Sequence, residues 1–267
     1  MSSATVSTLA HEKLTNVALQ FTERDEFVEY LTADLPPAPP DFRRIVELNR
    51  AGSPERVAGL AALSAGELQA KLERGVTVVD LREPEEFWQY QLPASINVPL
   101  SMGQFGANVA SFVAISSPVV LLVNNESEAR MAQVALGVVG RYELEGFVTA
   151  AEASRLLVKA DYMRIEPEHL HKLLELESVA VLDVRQPAEF EQDSLPGAIN
   201  LPLAQLPGRL AELEAFKDSL LVVTCAAGYR SSLASSFLTQ QGWGYIQNLK
   251  GGMNGFNSWN RADRQAA

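Results

Sequence analysis

One short stretch of this 267-residue chain gathers residue types suited to nucleophilic chemistry. After the apolar run Leu220 to Val223 comes Thr224-Cys225-Ala226-Ala227-Gly228-Tyr229-Arg230-Ser231-Ser232, followed by Leu233, Ala234, Phe237 and Leu238, an apolar face at helical spacing. Cys225 is the only cysteine, so it has no partner for an internal disulfide. A thiol on the turn from a strand into a helix faces the positive end of the helix dipole, unpaired backbone N–H groups and, here, Arg230, all of which favour the nucleophilic thiolate. Small residues at 226, 227 and 228 let the loop curl so that successive amides converge above the sulfur. A lone cysteine is by itself most often a small buried hydrophobe. The surrounding pattern makes Cys225 the candidate nucleophile, expected to be ionised and reachable. Only three histidines are present, His11, His169 and His171, and the last two lie two apart in a helix expected to start at Pro167. They point away from each other as solvated helix residues, which argues against a Cys-His hydrolase and against a metal centre; no metal or other cofactor is expected.

The elements that carry this loop occur twice. Asp80-Leu81-Arg82-Glu83-Pro84-Glu85-Glu86-Phe87 returns as Asp183-Val184-Arg185-Gln186-Pro187-Ala188-Glu189-Phe190, and the match continues through Leu92-Pro93, Ile96-Asn97 and Pro99-Leu100. Twelve of 21 positions are identical at an offset of 103 residues, a period too long for a solenoid and suited to two copies of one domain. In each copy a helical stretch (Glu67 to Glu73; His169 to Leu176) leads into a β-branched run (Val76 to Val79; Val179 to Leu182), and a second apolar run follows (Val119 to Val123; Leu220 to Val223). Continuous apolar runs alternating with helical patterns predict parallel strands with crossover helices, an α/β fold with a mostly parallel central sheet flanked by helices on both faces. Ligands of such sheets sit beyond the carboxyl ends of the strands, where Cys225 falls.

Composition bounds the rest. Hydrophobic residues make up 47% and charged residues 21%, as in ordinary globular proteins. The net charge of −11 is spread evenly, with 5 basic and 8 acidic groups in residues 1–50, 8 and 12 in 51–160, and 9 and 13 in 161–267. No segment has the Lys/Arg excess that nucleic acid or an anionic membrane requires. Neither a membrane span nor a signal peptide is read in the sequence, so the expected compartment is the reducing cytoplasm.

The second copy resembles a rhodanese domain, the sulfurtransferase family, through Asp183-Val184-Arg185, Phe190, Leu195-Pro196-Gly197-Ala198-Ile199-Asn200, the loop from Cys225 to Arg230, and Leu249-Lys250-Gly251-Gly252-Met253. The resemblance implies that Cys225 accepts a sulfane sulfur as a persulfide, that Ala226, Ala227, Gly228, Tyr229 and Arg230 form a cradle of main-chain amides, and that Arg230 braces the loop or binds the donor. Cysteine-dependent phosphatases also place Cys and Arg before a helix, with five residues between them; here there are four, a narrower ring suited to sulfur. A sulfite or thiol leaving group also needs no general acid, whereas phosphatase chemistry does. Ala226 and Ala227 are neutral where thiosulfate-using members carry basic residues, which implies weak thiosulfate binding and a preference for glutathione-type or protein persulfides, with thiols as acceptors. Asp183 and Arg185, like Asp80 and Arg82, recur in the copy without a nucleophile and are assigned to structural support.

Aligning Arg130 with Arg230 puts Asn125 opposite Cys225 in the first copy, and the terminal glycine pair is reduced there to Gly146-Phe147. An amide cannot take up sulfur, and Glu126 and Glu128 put negative charge where an anionic donor would arrive. The first copy therefore reads as a non-catalytic rhodanese-like domain. Residues 1–50 belong to neither repeat, and contain helical stretches from Asp25 to Leu31 and Asp41 to Asn49 around Leu35-Pro36-Pro37-Ala38-Pro39-Pro40. With Thr8-Leu9-Ala10-His11-Glu12-Lys13 and Glu26-Phe27-Val28 they resemble the C-terminal end of a metallo-β-lactamase-fold persulfide dioxygenase, without its His-x-His-x-Asp-His segment. The expected organisation is an N-terminal extension (1–50), a non-catalytic domain (51–160) and a catalytic domain (161–267). The expected function is sulfur transfer; the alternative is a binding or scaffold module in persulfide or sulfide handling that recruits a dioxygenase.

Overall fold

The computed structural model describes residues 6–33, 42–52, 59–140, 144–160, 163–176 and 179–266. The chain divides into two compact units, Met1–Ala38 and Pro39–Ala267. The first contains helices α1 (Leu9–Thr15) and α2 (Arg24–Thr32). Thr8 caps α1 by accepting the His11 amide, and Phe21 packs on Tyr30 with ring centroids 4.9 Å apart. Helix α2 matches the expected Asp25 to Leu31 stretch, whereas α1 was not anticipated. The proline run at 35–40 lies outside the described residues.

The second unit opens with α3 (Phe42–Ala51), the second helix anticipated in the extension, and then α4 (Ala65–Leu72), whose Ser64–Glu67 capping box satisfies its first amides. The first sheet follows: β1 (Thr77–Asp80), α5 (Pro84–Gln89), β2 (Tyr90–Gln91), β3 (Ile96–Asn97), α6 (Phe105–Phe112), β4 (Val119–Val123), α7 (Glu126–Val138) and β5 (Gly146–Thr149). After β6 (Val158–Lys159), the pattern returns as β7 (Arg164–Ile165), α8 (Pro167–Glu175), β8 (Ala180–Asp183), α9 (Pro187–Gln192), β9 (Ile199–Asn200), β10 (Leu221–Thr224), α10 (Tyr229–Gln240), β11 (Ile246–Leu249) and α11 (Gly252–Ala266). Proline stands in the first turn of α5, α8 and α9, where its missing N–H costs nothing.

Both main sheets are parallel. The first runs β3-β1-β4-β5 and the second β9-β8-β10-β11-β7, the same order with one further strand. In the first sheet the extra strand shrinks to a single parallel bridge between Ala62 and Phe147. β2 and β6 form a separate antiparallel pair. The central strands are buried on both faces, as continuous Val/Leu runs require. One hydrophobic core joins the two halves, including Val79, Leu121 and Phe112 from the first and Leu182, Val223 and Phe237 from the second. Phe112 and Phe237 meet edge to face at 5.0 Å. This is an α/β protein with parallel sheets flanked by helices.

The register revises one alignment. β1 pairs Asp80 with Leu122 and β8 pairs Asp183 with Thr224, so Val123, not Asn125, stands in the place of Cys225. Asn125 instead caps α7 by accepting the Glu128 amide, at the N-cap position that Gly228 holds ahead of α10 without a side-chain cap. The first loop is one residue shorter, and the shared arginines at 130 and 230 coincide in sequence without coinciding in structure. Likewise Val120 pairs with Gly146 and Val222 with Gln247, so Ala150-Ala151, not Gly146-Phe147, corresponds to Gly251-Gly252.

Candidate active site

Cys225 follows the last residue of β10 at the carboxyl edge of the second sheet, and four residues of loop, 225–228, separate that strand from α10. Its sulfur accepts the Gly228 amide at 3.1 Å and lies 3.4 Å from the Ser231 hydroxyl, which can donate to it. Gly228 has φ 99°, a left-handed conformation that glycine adopts without strain and that turns its N–H back onto the sulfur. The outer side of the loop is clamped from α11: the Met253 amide donates to the Cys225 carbonyl at 2.8 Å and the Asn254 amide to the Ala226 carbonyl at 2.9 Å. Because a trans peptide sets each carbonyl opposite the next N–H, the amides of Ala226 and Ala227 face away from α11. Among the described residues these two amides meet no acceptor, and those of Tyr229 and Arg230 are first-turn donors of α10. The clamp needs Gly252: a Cβ there would lie 2.3 Å from the Cys225 carbonyl oxygen, and its φ is 57°.

The thiol is closed off more than the sequence implied. Cys225 is 1% exposed, because its side chain points in beneath α10 while the α11 clamp holds the backbone above it. Ala227 is exposed, Ala226, Tyr229 and Arg230 are half-buried, and Gly228 is buried. Arg230 makes a two-point pair with Glu189 of α9, both contacts at 2.7 Å. That pairing holds Glu189 at about 2, far below its usual 4.5, and pushes the guanidinium up, with Cys225 a lesser contributor. The Glu83 carboxylate of the first repeat raises the Tyr229 phenol above an ordinary phenol. Ser101 in turn donates to Glu83 at 2.6 Å.

Asp183 and Arg185 are buried against each other: Asp183 accepts the Arg185 amide at 2.9 Å and its guanidinium at 2.6 Å, while Arg185 also donates to the Asp193 carbonyl. Asn200 ties both backbones together at 3.0 Å. Asp80, Arg82 and Asn97 repeat the arrangement in the first sheet. His169 is exposed, and His171 packs against Trp259 at 5.1 Å beside Glu175, so the pair is not uniformly solvated. Among the described residues no group of three or more His, Cys, Asp or Glu side chains is placed to hold a metal.

Three residues named within the sequence motifs take roles those motifs do not assign: Ser231 reaches the sulfur, Glu189 holds Arg230, and Gly252 admits the clamp. Glu189 carried a signal, since Glu86 and Glu189 recur inside the repeated block. The corresponding edge of the first sheet holds no cysteine; a cleft of about 510 Å³ opens there, lined by Glu83, Ser101, Asn124, Glu128 and Met131.

The rhodanese-like domain family matches residues 166–258, which include β10, the Cys225 loop, α10 and the first half of α11. A sulfurtransferase of Allochromatium vinosum is 40% identical over 90 residues, covering 33% of this chain and 82% of that protein. The thiosulfate sulfurtransferase GlpE of Stutzerimonas stutzeri is 32% identical over 99 residues, 37% of this chain and 85% of its own length. A rhodanese-related protein of Thermoplasma volcanium of solved structure is 33% identical, covers 36% of this chain and 92% of its own, and superposes with a TM-score of 0.33. No helix among the described residues is long and apolar enough to cross a membrane. With the match falling on the half that carries the loop, the chain belongs to the rhodanese-like family, among relatives that are sulfurtransferases.

Proposed function

We propose that the chain is a sulfurtransferase built from two rhodanese-like copies behind an N-terminal extension, with the second copy active and the first lacking a nucleophile. The observation that carries this reading is the Cys225 sulfur held by the Gly228 amide at the mouth of α10, with further unpaired amides around the same loop. The Cys225 thiolate attacks the outer sulfur of a persulfide or of thiosulfate. A new sulfur–sulfur bond forms to Cys225, and the old one breaks with its electron pair leaving on thiolate or sulfite. The terminal sulfur, carrying negative charge, is stabilised by the loop amides. An acceptor thiolate, or cyanide in an assay, then attacks that terminal sulfur and releases Cys225 as thiolate. Two half-reactions on one nucleophile give ping-pong kinetics.

Arg230 is already neutralised by Glu189, and the loop side chains at 226 and 227 carry no charge. Both features support organic persulfides over thiosulfate as donors. A lower KM for thiosulfate than for glutathione persulfide would count against that preference. Intact-mass measurement after incubation with each donor tests the reaction itself. A gain of about 32 Da that is absent in Cys225→Ser supports transfer.

The second reading, a binding module for persulfide or sulfide handling with a dioxygenase as partner, is favoured by the near-complete burial of Cys225. An unmodified mass with every donor would select it.

A further inference from the structure

Helix α10 is the shared wall of the two repeats. Its inward side brings Ser231 to the Cys225 sulfur, while its other side is bonded to the first repeat. Trp88, 1% exposed, donates its indole N–H to Ser232 Oγ at 2.9 Å. The Ser232 hydroxyl in turn donates to Asn97 Oδ1 at 2.5 Å, and the Asn97 backbone N–H donates to Ser236 Oγ at 2.9 Å. Gln240 closes the far end on the Ala94 carbonyl at 2.6 Å. Trp88 is not demanded by the repeated fold itself, since the same position in the second repeat is the exposed Glu191.

Resting on the sulfurtransferase reading, we propose that Trp88 and Asn97 are positioning residues for the Cys225 site: the first repeat fixes the rotation and depth of α10, and with them the Gly228 N–H and Ser231 O–H that hold the sulfur. A buried polar chain with each link satisfied specifies one arrangement, because any shift of the helix leaves a donor or acceptor unpaired in a dry interface. The sulfur contacts depend on that arrangement, since hydrogen bonds weaken steeply with distance and angle. A displacement of order 1 Å at a catalytic group is enough to cost rate. The repeat without a nucleophile is then part of the catalytic apparatus.

The test compares Trp88→Phe, which keeps an aromatic ring and loses the N–H, with Ser232→Ala, Ser232→Thr and the parent. Each is measured for turnover, donor KM, melting temperature and the alkylation rate of Cys225 by iodoacetamide. The last readout does not depend on sulfur transfer. Leu68→Ala serves as the stability control, because Leu68 is buried in a separate core cluster and touches neither α10 nor the loop. Losing one buried hydrogen bond should lower turnover about 5- to 10-fold with donor KM unchanged. Alkylation should accelerate as the sulfur is uncovered, Ser232→Ala should match Trp88→Phe, the double variant should add little, and Ser232→Thr should restore the parent. Parent-like turnover and alkylation in folded Trp88→Phe overturn the proposal, as does a Leu68→Ala control that changes both rates equally. Should Trp88→Phe fail to fold, Ser232→Ala against Ser232→Thr decides. A parent chain that takes up no sulfur refutes the functional reading alone, and the alkylation rates still decide the positioning.

Discussion

Helices α7 and α10 stand at the same place in two sheets of the same strand order, yet they are packed in different ways. α7 buries Ala129, Ala132 and Leu136 against its own sheet and leaves Met131, Val134 and Val138 exposed, at 53%, 69% and 66%. α10 is buried continuously from Ser231 to Leu238, because the first repeat covers the face that its own sheet does not. The loops ahead of them differ in the same sense. The first passes from Val123 to its cap at Asn125 with one residue between, whereas the second inserts one more, opens left-handed at Gly228 and is clamped by α11. Sheets sharing one strand order thus support two outcomes, and the difference lies in loop length, in one glycine contact and in what covers the helix.

The comparison can be broken most severely at the clamp. In the first repeat the position of Gly252 is Ala151, with φ −62°, whereas Gly252 has φ 57° and no room for a Cβ. Gly252→Ala should therefore displace the Cys225 loop and abolish persulfide formation, while Ala151→Gly leaves it intact; intact mass after donor treatment reads both. Next come the buried Asp–Arg braces, which the two repeats share. Arg185→Ala or Arg82→Ala should each cost about 3–5 kcal/mol by leaving a buried carboxylate unpaired. Urea unfolding midpoints check this, and a near-zero loss in either sheet would show that the brace is dispensable there.

The Glu189–Arg230 pair belongs to the second repeat alone. Its folded-state value of about 2, below the ordinary 4.5, means that its contribution is present above about pH 4.5 and is lost as the pH falls towards 2. Glu189→Gln should flatten that part of the stability–pH curve, as followed by thermal melts between those limits. Solvent reaches the pair, so the effect is modest. Smallest of all, Val134→Thr on the open face of α7 should change stability by less than about 0.5 kcal/mol. Phe237→Ala on the covered face of α10 should cost about 3–5 kcal/mol. Equal losses would deny that the two helices differ in burial.

Much of this was readable from sequence because it is local. Val119–Val123 is the strand expected, and the turn before α10 follows from small residues, a glycine and the onset of helical spacing. The position of Cys225 at a strand's carboxyl edge needed only the α/β pattern. What was missed depends on distant partners. Glu189 is 41 residues from Arg230 and Trp88 is 144 from Ser232, separations at which spacing carries no geometry. Four serines of α10, Ser231, Ser232, Ser235 and Ser236, are buried, and nothing in their spacing announces it; three of them make hydrogen bonds in the interior. The alignment of Asn125 with Cys225 failed by two residues because it was anchored on Arg130 and Arg230, which stand at the fifth position of α7 and the second of α10, as only the strand register exposes.

The most direct test of the central claim is rapid mixing of the chain with a stoichiometric amount of donor in the absence of acceptor, reading the released leaving group and the peptide mass at Cys225 together. Stoichiometric release of thiol from glutathione persulfide, or of sulfite from thiosulfate, with one added sulfur confined to the Cys225 peptide, is the expected result. Release without sulfur on that peptide, or equal release from Cys225→Ser, would contradict it.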